Sequence, residues 1–282
     1  TLPDNSDDWK ALVEAMHKQN NDDAALKESG RLPKSVSSTL ADDPDYVSLL
    51  ASVHNALGRY NEALRLVRRA SALLRQQQRT PPAEVELQLA WLLLNTNGEE
   101  RELYALLQEV GARADLTQIQ QDSVSELWST WILRRANAAS GAGDLPRALA
   151  VLDAGTRMLP RDAALRSSYA GTLLQAGDPA RALAIYKSWG LTGAGASDFE
   201  GAVGAALGAG DMNTATTWLR TALNRWPNHA GMLNLAGKLA AAKGDYKTAE
   251  RYWKAALAAT PVPAELPDLR AGDRALKPAD YR

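Results

Sequence analysis

Small and bulky apolar positions return at a fixed interval along the second half of the chain, and glycine marks their phase. Gly143, Gly177, Gly210 and Gly244 stand 34, 33 and 34 residues apart. Five residues after each glycine comes an alanine (Ala148, Ala182, Ala215, Ala249), and nine after each comes a bulky side chain (Leu152, Tyr186, Leu219, Trp253). An interval of this length is a whole supersecondary unit, longer than one helix or strand. It predicts two helices per unit: glycine supplies the positive φ of the turn between them, and the aspartate after it (Asp144, Asp178, Asp211, Asp245) caps the second helix. The alanine lets the two helices approach where they cross, and the bulky residue fills the space beside it. Proline closes three of the four units, at Pro160, Pro227 and Pro261, by withholding an N–H and clashing with the preceding turn.

Further back the phase loosens. Gly58, with Tyr60, Ala63, Val67 and Ala70, forms another unit over about residues 44–77, opened by Asp43-Pro44. Gly98 marks a degenerate copy, with Leu87, Ala90 and Trp91 before it and Leu103 and Leu107 after it. Its distances to the neighbouring glycines, 40 and 45 residues, exceed the period. Longer linkers or extended helices are therefore expected near Gln76 to Ala83 and Gly111 to Glu126. A first unit begins at Trp9, Leu12 and Met16 and turns at Asn20 to Asp23, and Gly30 and Pro33 interrupt its second helix. The chain divides on this basis into an irregular unit over 1–43, a unit plus a degenerate copy over 44–128, four regular units over 129–261, and a proline-rich linker over 262–282. That is about seven repeats in all.

Composition narrows the functional classes. The 282 residues are 45% hydrophobic, with 32 basic against 33 acidic side chains, which describes a folded chain without the positive field that nucleic acid requires. One Phe leaves apolar burial mainly to Ala and Leu, both strong helix formers. Cysteine is absent, which removes disulfides, thiolate nucleophiles and Cys-ligated zinc. The longest apolar run, around Leu87 to Leu94, is far short of the roughly 20 residues of a membrane helix. The chain starts at Thr1 without a Met, a basic n-region or an apolar h-region, as expected of a mature or excised piece.

No catalytic, metal or cofactor constellation emerges. His17, His54 and His229 fall in different units without metal-ligand spacing. The glycine-rich run from Gly190 through Gly193 and Gly195 to Gly210 has no preceding strand and no Gly-Lys-Ser/Thr ending, so it is expected to be a flexible loop between units. The acidic clusters Asn20 to Asp23 and Asp42 to Asp45 lack the twelve-residue calcium-loop pattern and sit where caps are needed. Of the eight tryptophans, Trp9, Trp91 and Trp253 are expected in the core, and Trp189 and Trp226 partly exposed near second-helix ends.

These turn, crossing and closing residues resemble the tetratricopeptide repeat over nearly the whole chain. The resemblance implies an all-α fold, a right-handed α-solenoid of helix-turn-helix repeats, whose concave face is lined by the first helix of each pair. On that face fall Ser52 and Asn55, Gln88 and Asn95, Asn137 and Ser140, Ser167 and Gln175, and Asn234 and Lys238. The lining is polar and nearly uncharged, unlike that of repeats that grip a peptide carboxylate, and would suit a neutral polymer or a protein partner. The segments Asp198 to Ala206, Thr217 to Arg220, Arg225 to Asn228, Gly244 to Pro261 and Glu126 to Ala136 further resemble the periplasmic repeats of the bacterial cellulose-export proteins that pair such repeats with an outer-membrane barrel. That resemblance implies a non-catalytic periplasmic scaffold for exopolysaccharide export. Its partners would be proteins of the synthesis and secretion complex and the glucan itself, with the outer-membrane barrel lying beyond this chain. A general adaptor that binds a peptide or protein in the groove is the alternative, and an accessory region of a sugar-acting enzyme a third.

Overall fold

A computed structural model describes residues 5–96 and 100–259. Among them are fifteen helices and no strand. The fold is all-helical and of the solenoid-repeat class, and it carries seven helix pairs plus one extra helix. Gly98, Pro261 and the linker over 262–282 lie outside the described residues. Contacts separate two compact units, Thr1–Arg135 and Ala136–Arg282.

In the first unit the pairs are α1 (Ser6–Lys18) with α2 (Asp22–Ser29), α4 (Pro44–Ala56) with α5 (Tyr60–Gln76), and α6 (Ala83–Asn95) with α7 (Glu100–Gly111). The interruption expected at Gly30 and Pro33 is present: α2 stops at Ser29, and Pro33 sits at the N-cap of a separate α3 (Lys34–Ala41). This short helix is amphipathic and buries Val36 and Leu40 in a cluster with Trp9, Val13, Ala25, Tyr46 and Val53. Asp43 caps α4 by accepting from the amides of Asp45 and Tyr46, with Pro44 at the first turn, where its missing N–H costs nothing. The other acidic cluster behaves differently from expectation. Asn21 makes no cap bond with its side chain, and Asp22 instead meets His17 Nδ1 at 2.5 Å.

The two stretched intervals are real, and one arginine ties their loops together. α5 reaches Gln76 before a loop to Ala83, and α7 is followed by a loop to α8 (Gln118–Gly141), a 24-residue helix. From the second loop Arg113 donates to Pro81 O at 2.8 Å and to Glu86 Oε2 at 2.7 Å, while Asp115 accepts from its other edge at 2.7 and 2.9 Å. Glu86 is 2% exposed. Asp115 and then Glu86, working against burial, hold the Arg113 guanidinium above the ordinary arginine range.

The second unit contains the end of α8 and the helices α9 (Leu145–Met158), α10 (Ala163–Gln175), α11 (Pro179–Trp189), α12 (Ala196–Gly208), α13 (Met212–Arg225), α14 (Ala230–Ala242) and α15 (Tyr246–Ala259). Its turns follow the sequence phase. Gly143, Gly177, Gly210 and Gly244 have φ of 78°, 77°, 77° and 81°. The carboxylates after them accept from the amides of Arg147, Arg181, Thr214 and Thr248. The crossing alanines Ala148, Ala182, Ala215 and Ala249 are fully buried, and so are Leu152, Tyr186 and Leu219 to within a few per cent. Gly201 on α12 admits the Tyr186 ring, since a Cβ there would strike its hydroxyl.

Two tryptophan expectations need correction. Trp253 is 37% exposed, not core. A bulky side chain at this position is covered from two sides, by its own pair and by the first helix of the next. Gly237 of α14 accommodates one side of the Trp253 indole, and the rest of the ring, like Tyr246 and Leu257 on the same helix, is exposed. Trp91 is only partly buried, because it points to the polar side of α6. Trp9 is core, whereas Trp189 and Trp226 are partly exposed, each with an arginine over its ring (Arg166 and Arg225). The glycine-rich run also divides: Gly190, Gly193 and Gly195 form the α11–α12 connection, whereas Gly201, Gly204 and Gly208 lie within α12.

Candidate interaction groove

The first helices of successive pairs present side chains in stripes at i, i+4, i+7 and i+11, one face of a helix. On α4 the stripe is Ser48, Ser52 and Asn55, and on α6 it is Glu84, Gln88, Trp91 and Asn95. These seven residues and the almost buried Leu92 line one groove of about 500 Å³. Four of the ten residues expected on this face, Ser52, Asn55, Gln88 and Asn95, are thus brought together in the first unit.

The groove is held by hydrogen bonds between its walls. Gln88 Nε2 donates to Ser52 Oγ at 3.0 Å, and Ser52 donates to Ser48 O at 3.3 Å. From α8, Gln120 Nε2 donates to Glu84 Oε1 at 2.6 Å. Arg134 donates to Leu94 O and, at 3.2 Å, to Asn95 Oδ1. Each bond fixes one end of a polar group and leaves the other end free. The Asn95 amide keeps its two N–H donors, Gln88 its carbonyl, and Glu84 its second oxygen. Glu84 is the one formally charged side chain in the lining.

The remaining expected residues lie in the second unit. Ser140 donates to Gln175 Oε1 at 3.2 Å, with Asn137 exposed one turn earlier on α8. Ser167 donates to Asp198 Oδ1 at 2.6 Å, and the other Asp198 oxygen accepts from the Gly195 amide at 3.3 Å, so this carboxylate is engaged on both sides. Asn234 and Lys238 are exposed on α14. Glu200 of α12 lies against Gly231 of α14, where a Cβ would collide with its carboxylate. Burial and the neighbouring Asp198 push the Tyr186 phenol up to about 12, which keeps it neutral beneath this face.

Sequence reasoning missed Ser48, Glu84, Trp91 and Asp198. The signal for the first three was available, since each sits three or four residues from a residue already placed on the face. Asp198 stands three residues after Gly195, the N-cap of α12, and also serves that N-terminus, so its position reads as a cap. Among the described residues no group of three or more His, Asp or Glu side chains is arranged to hold a metal ion, and no helix is long and apolar enough to cross a membrane.

Glycine–aspartate turns, fully buried alanines at helix crossings and polar first-helix stripes define a helix-pair repeat scaffold. Two family models described as tetratricopeptide repeat match the chain, one over residues 2–189 and the other over residues 202–264. The chain belongs to the tetratricopeptide-repeat family, and it is a scaffold for protein–protein interaction. No curated protein sequence matches it. Among solved structures it is similar to the C-terminal part of a tetratricopeptide-repeat protein from Cytophaga hutchinsonii, at 12% identity and a TM-score of 0.63, over 90% of this chain and 96% of that one. It is also similar to Pseudomonas aeruginosa PilF, at 15% identity and a TM-score of 0.45, over 80% and 94%. A tetratricopeptide-repeat protein from Parabacteroides merdae matches at 12% identity and a TM-score of 0.44, over 90% and 93%.

Proposed function

We propose that the chain is a non-catalytic scaffold of the periplasm that serves the synthesis and export of an exopolysaccharide, cellulose. It makes contacts with proteins of the synthesis and secretion complex and guides the polymer towards an outer-membrane pore, the full-length protein being anchored there by a barrel beyond this chain. The single observation that supports this reading over a general peptide adaptor is the groove between α4 and α6. Its lining is hydroxyl and amide with one carboxylate and no basic side chain. A groove of that kind is a poor seat for an anionic peptide terminus, which needs charge-assisted donors. The resemblance of residues 198–261 and 126–136 to the periplasmic repeats of bacterial cellulose-export proteins supplies the pathway and the compartment.

The test is calorimetric titration of the chain with purified proteins of a cellulose secretion complex and with neutral and acidic peptides. Binding of a secretion protein with no response to the peptides is the expected result. Binding of peptides alone would establish the general adaptor in its place.

A further inference from the structure

We infer that the α4–α6 groove is a saccharide subsite in which Trp91 stacks on the C–H face of a neutral pyranose while Asn55, Gln88, Asn95 and Glu84 take its hydroxyls. The inference rests on the export reading and goes beyond it by saying where on the chain the polymer is held.

Three observations carry it. The first is the aromatic surface. Trp91 is partly exposed in a lining whose other members are hydroxyl, amide and carboxylate groups and the edge of a 1%-exposed leucine, Leu92. A peptide side chain would find no apolar socket there. A pyranose needs none, because its axial C–H bonds form a flat, slightly positive face that suits the electron-rich indole.

The second observation is the stock of hydrogen-bonding groups. A sugar hydroxyl both donates and accepts, so its best partners are groups that offer a free donor beside a free acceptor. Asn95, with its oxygen held by Arg134, presents N–H donors, and Gln88, with its nitrogen held by Ser52, presents a carbonyl acceptor. Glu84, with one oxygen bound by Gln120, presents the other to a donating hydroxyl. These bonds orient the groups before any ligand arrives, which reduces the ordering cost of binding.

The third observation is size. The groove's volume of about 500 Å³ lies in the range of small-ligand sites. Its lining residues include a single carboxylate and no cation, which favours a neutral chain over a phosphorylated or uronic-acid one.

The experiment is calorimetric titration of the whole chain with cellohexaose, with a neutral hexapeptide as the competing probe. It is run on the wild type, Trp91→Ala, Trp91→Phe, Asn95→Ala and, as a control outside the groove, Trp226→Ala. Circular dichroism and the thermal midpoint establish that each variant is folded. Cellohexaose affinity is expected to fall at least about tenfold in Trp91→Ala, to be largely restored in Trp91→Phe, to fall severalfold in Asn95→Ala and to stay unchanged in Trp226→Ala. Should Trp91→Ala not fold, Asn95→Ala and Trp91→Phe carry the test.

Cellohexaose binding that is indifferent to every groove variant would overturn the subsite and leave the export reading intact, since the sugar would then be held elsewhere. No cellohexaose binding, with a secretion protein still bound, would also overturn the subsite and leave the scaffold. A hexapeptide that binds in competition and depends on Trp91 would assign the groove to a peptide, overturning the inference.

Discussion

Replacing Arg113 by methionine tests whether the clasp between the two stretched loops is a structural necessity of the first unit. The substitution keeps most of the side-chain volume and removes the charge. It leaves the Glu86 carboxylate, 2% exposed, without its cation, and Pro81 O without its donor. Leaving one partner of a buried ion pair uncompensated costs about 3–5 kcal/mol. Arg113 is itself 17% exposed, which places the expected loss near the lower end, about 3 kcal/mol. The assay is native-state hydrogen exchange on the amides of α6 and α7, which reports local opening and does not require the whole chain to unfold in one step. A loss of about 3 kcal/mol accelerates that exchange by about 150-fold, while α12 in the other unit serves as an unchanged reference. The double variant Glu86→Met with Arg113→Met removes both charges and should return to within about 1 kcal/mol of the wild type, because neither charge then needs a partner. Exchange in Arg113→Met within fivefold of the wild type would refute the argument, as would a double variant no better than the single one.

Three further outcomes follow from other parts of the structure. Burial raises the Asp43 carboxyl, but the Lys10 ammonium and the amides of Asp45 and Tyr46 outweigh it and hold its pKa below the ordinary value. The unfolded chain therefore binds the extra proton, and Asp43 contributes stability that is present above about pH 4 and lost as pH falls through its folded value. Asp43→Ala should cost about 1 kcal/mol at pH 7 in urea unfolding and flatten the acid limb of the stability profile. Gly201→Ala and Gly204→Ala form a matched pair on α12. Each gains about 1 kcal/mol of helix propensity, and Gly204 has open space for a Cβ, so its variant should raise the thermal midpoint. At Gly201 the same Cβ strikes the hydroxyl of the 1%-exposed Tyr186, and overpacking of about 1–3 kcal/mol should lower it. Gly177→Ala, at φ of 77°, should lower the midpoint by the equivalent of about 1 kcal/mol despite the empty space around it, since the strain there is in the backbone.

The repeat was legible because its parts are local. A glycine at positive φ, an aspartate three residues from the amide it accepts, and an alanine at a crossing each leave a mark at a fixed offset, and four copies in phase make the marks visible. The first unit was harder. The helix at Lys34–Ala41 belongs to no repeat, and only Gly30 and Pro33 announced that the chain breaks there. The groove was half legible. Ser52, Asn55, Gln88 and Asn95 could be placed by helical spacing, but Trp91 sits in the apolar run from Leu87 to Leu94, where hydrophobicity alone gives no sign of which side is wet. Trp253 shows the converse difficulty. Its repeat position predicts burial, and burial there depends on a neighbour that the position itself does not encode. The hydrogen bonds from Gln120 and Arg134 cross about 36–40 residues of sequence and leave no local trace at all.

The backbone and cap bonds that close the four glycine–aspartate turns of the second unit join residues within ten positions of one another. The amides of Asp144, Asp178, Asp211 and Asp245 each reach a carbonyl five residues back, and the caps lie three residues ahead. A hairpin of this kind requires nothing from a distant part of the chain before it can form. Contacts so close in sequence favour rapid folding, and no single nucleus has to assemble first. The chain can therefore fold in order of emergence, each new hairpin settling on the one before it, whether it leaves a ribosome or a narrow translocation channel. Such growth exposes at most one unfinished apolar face at any time.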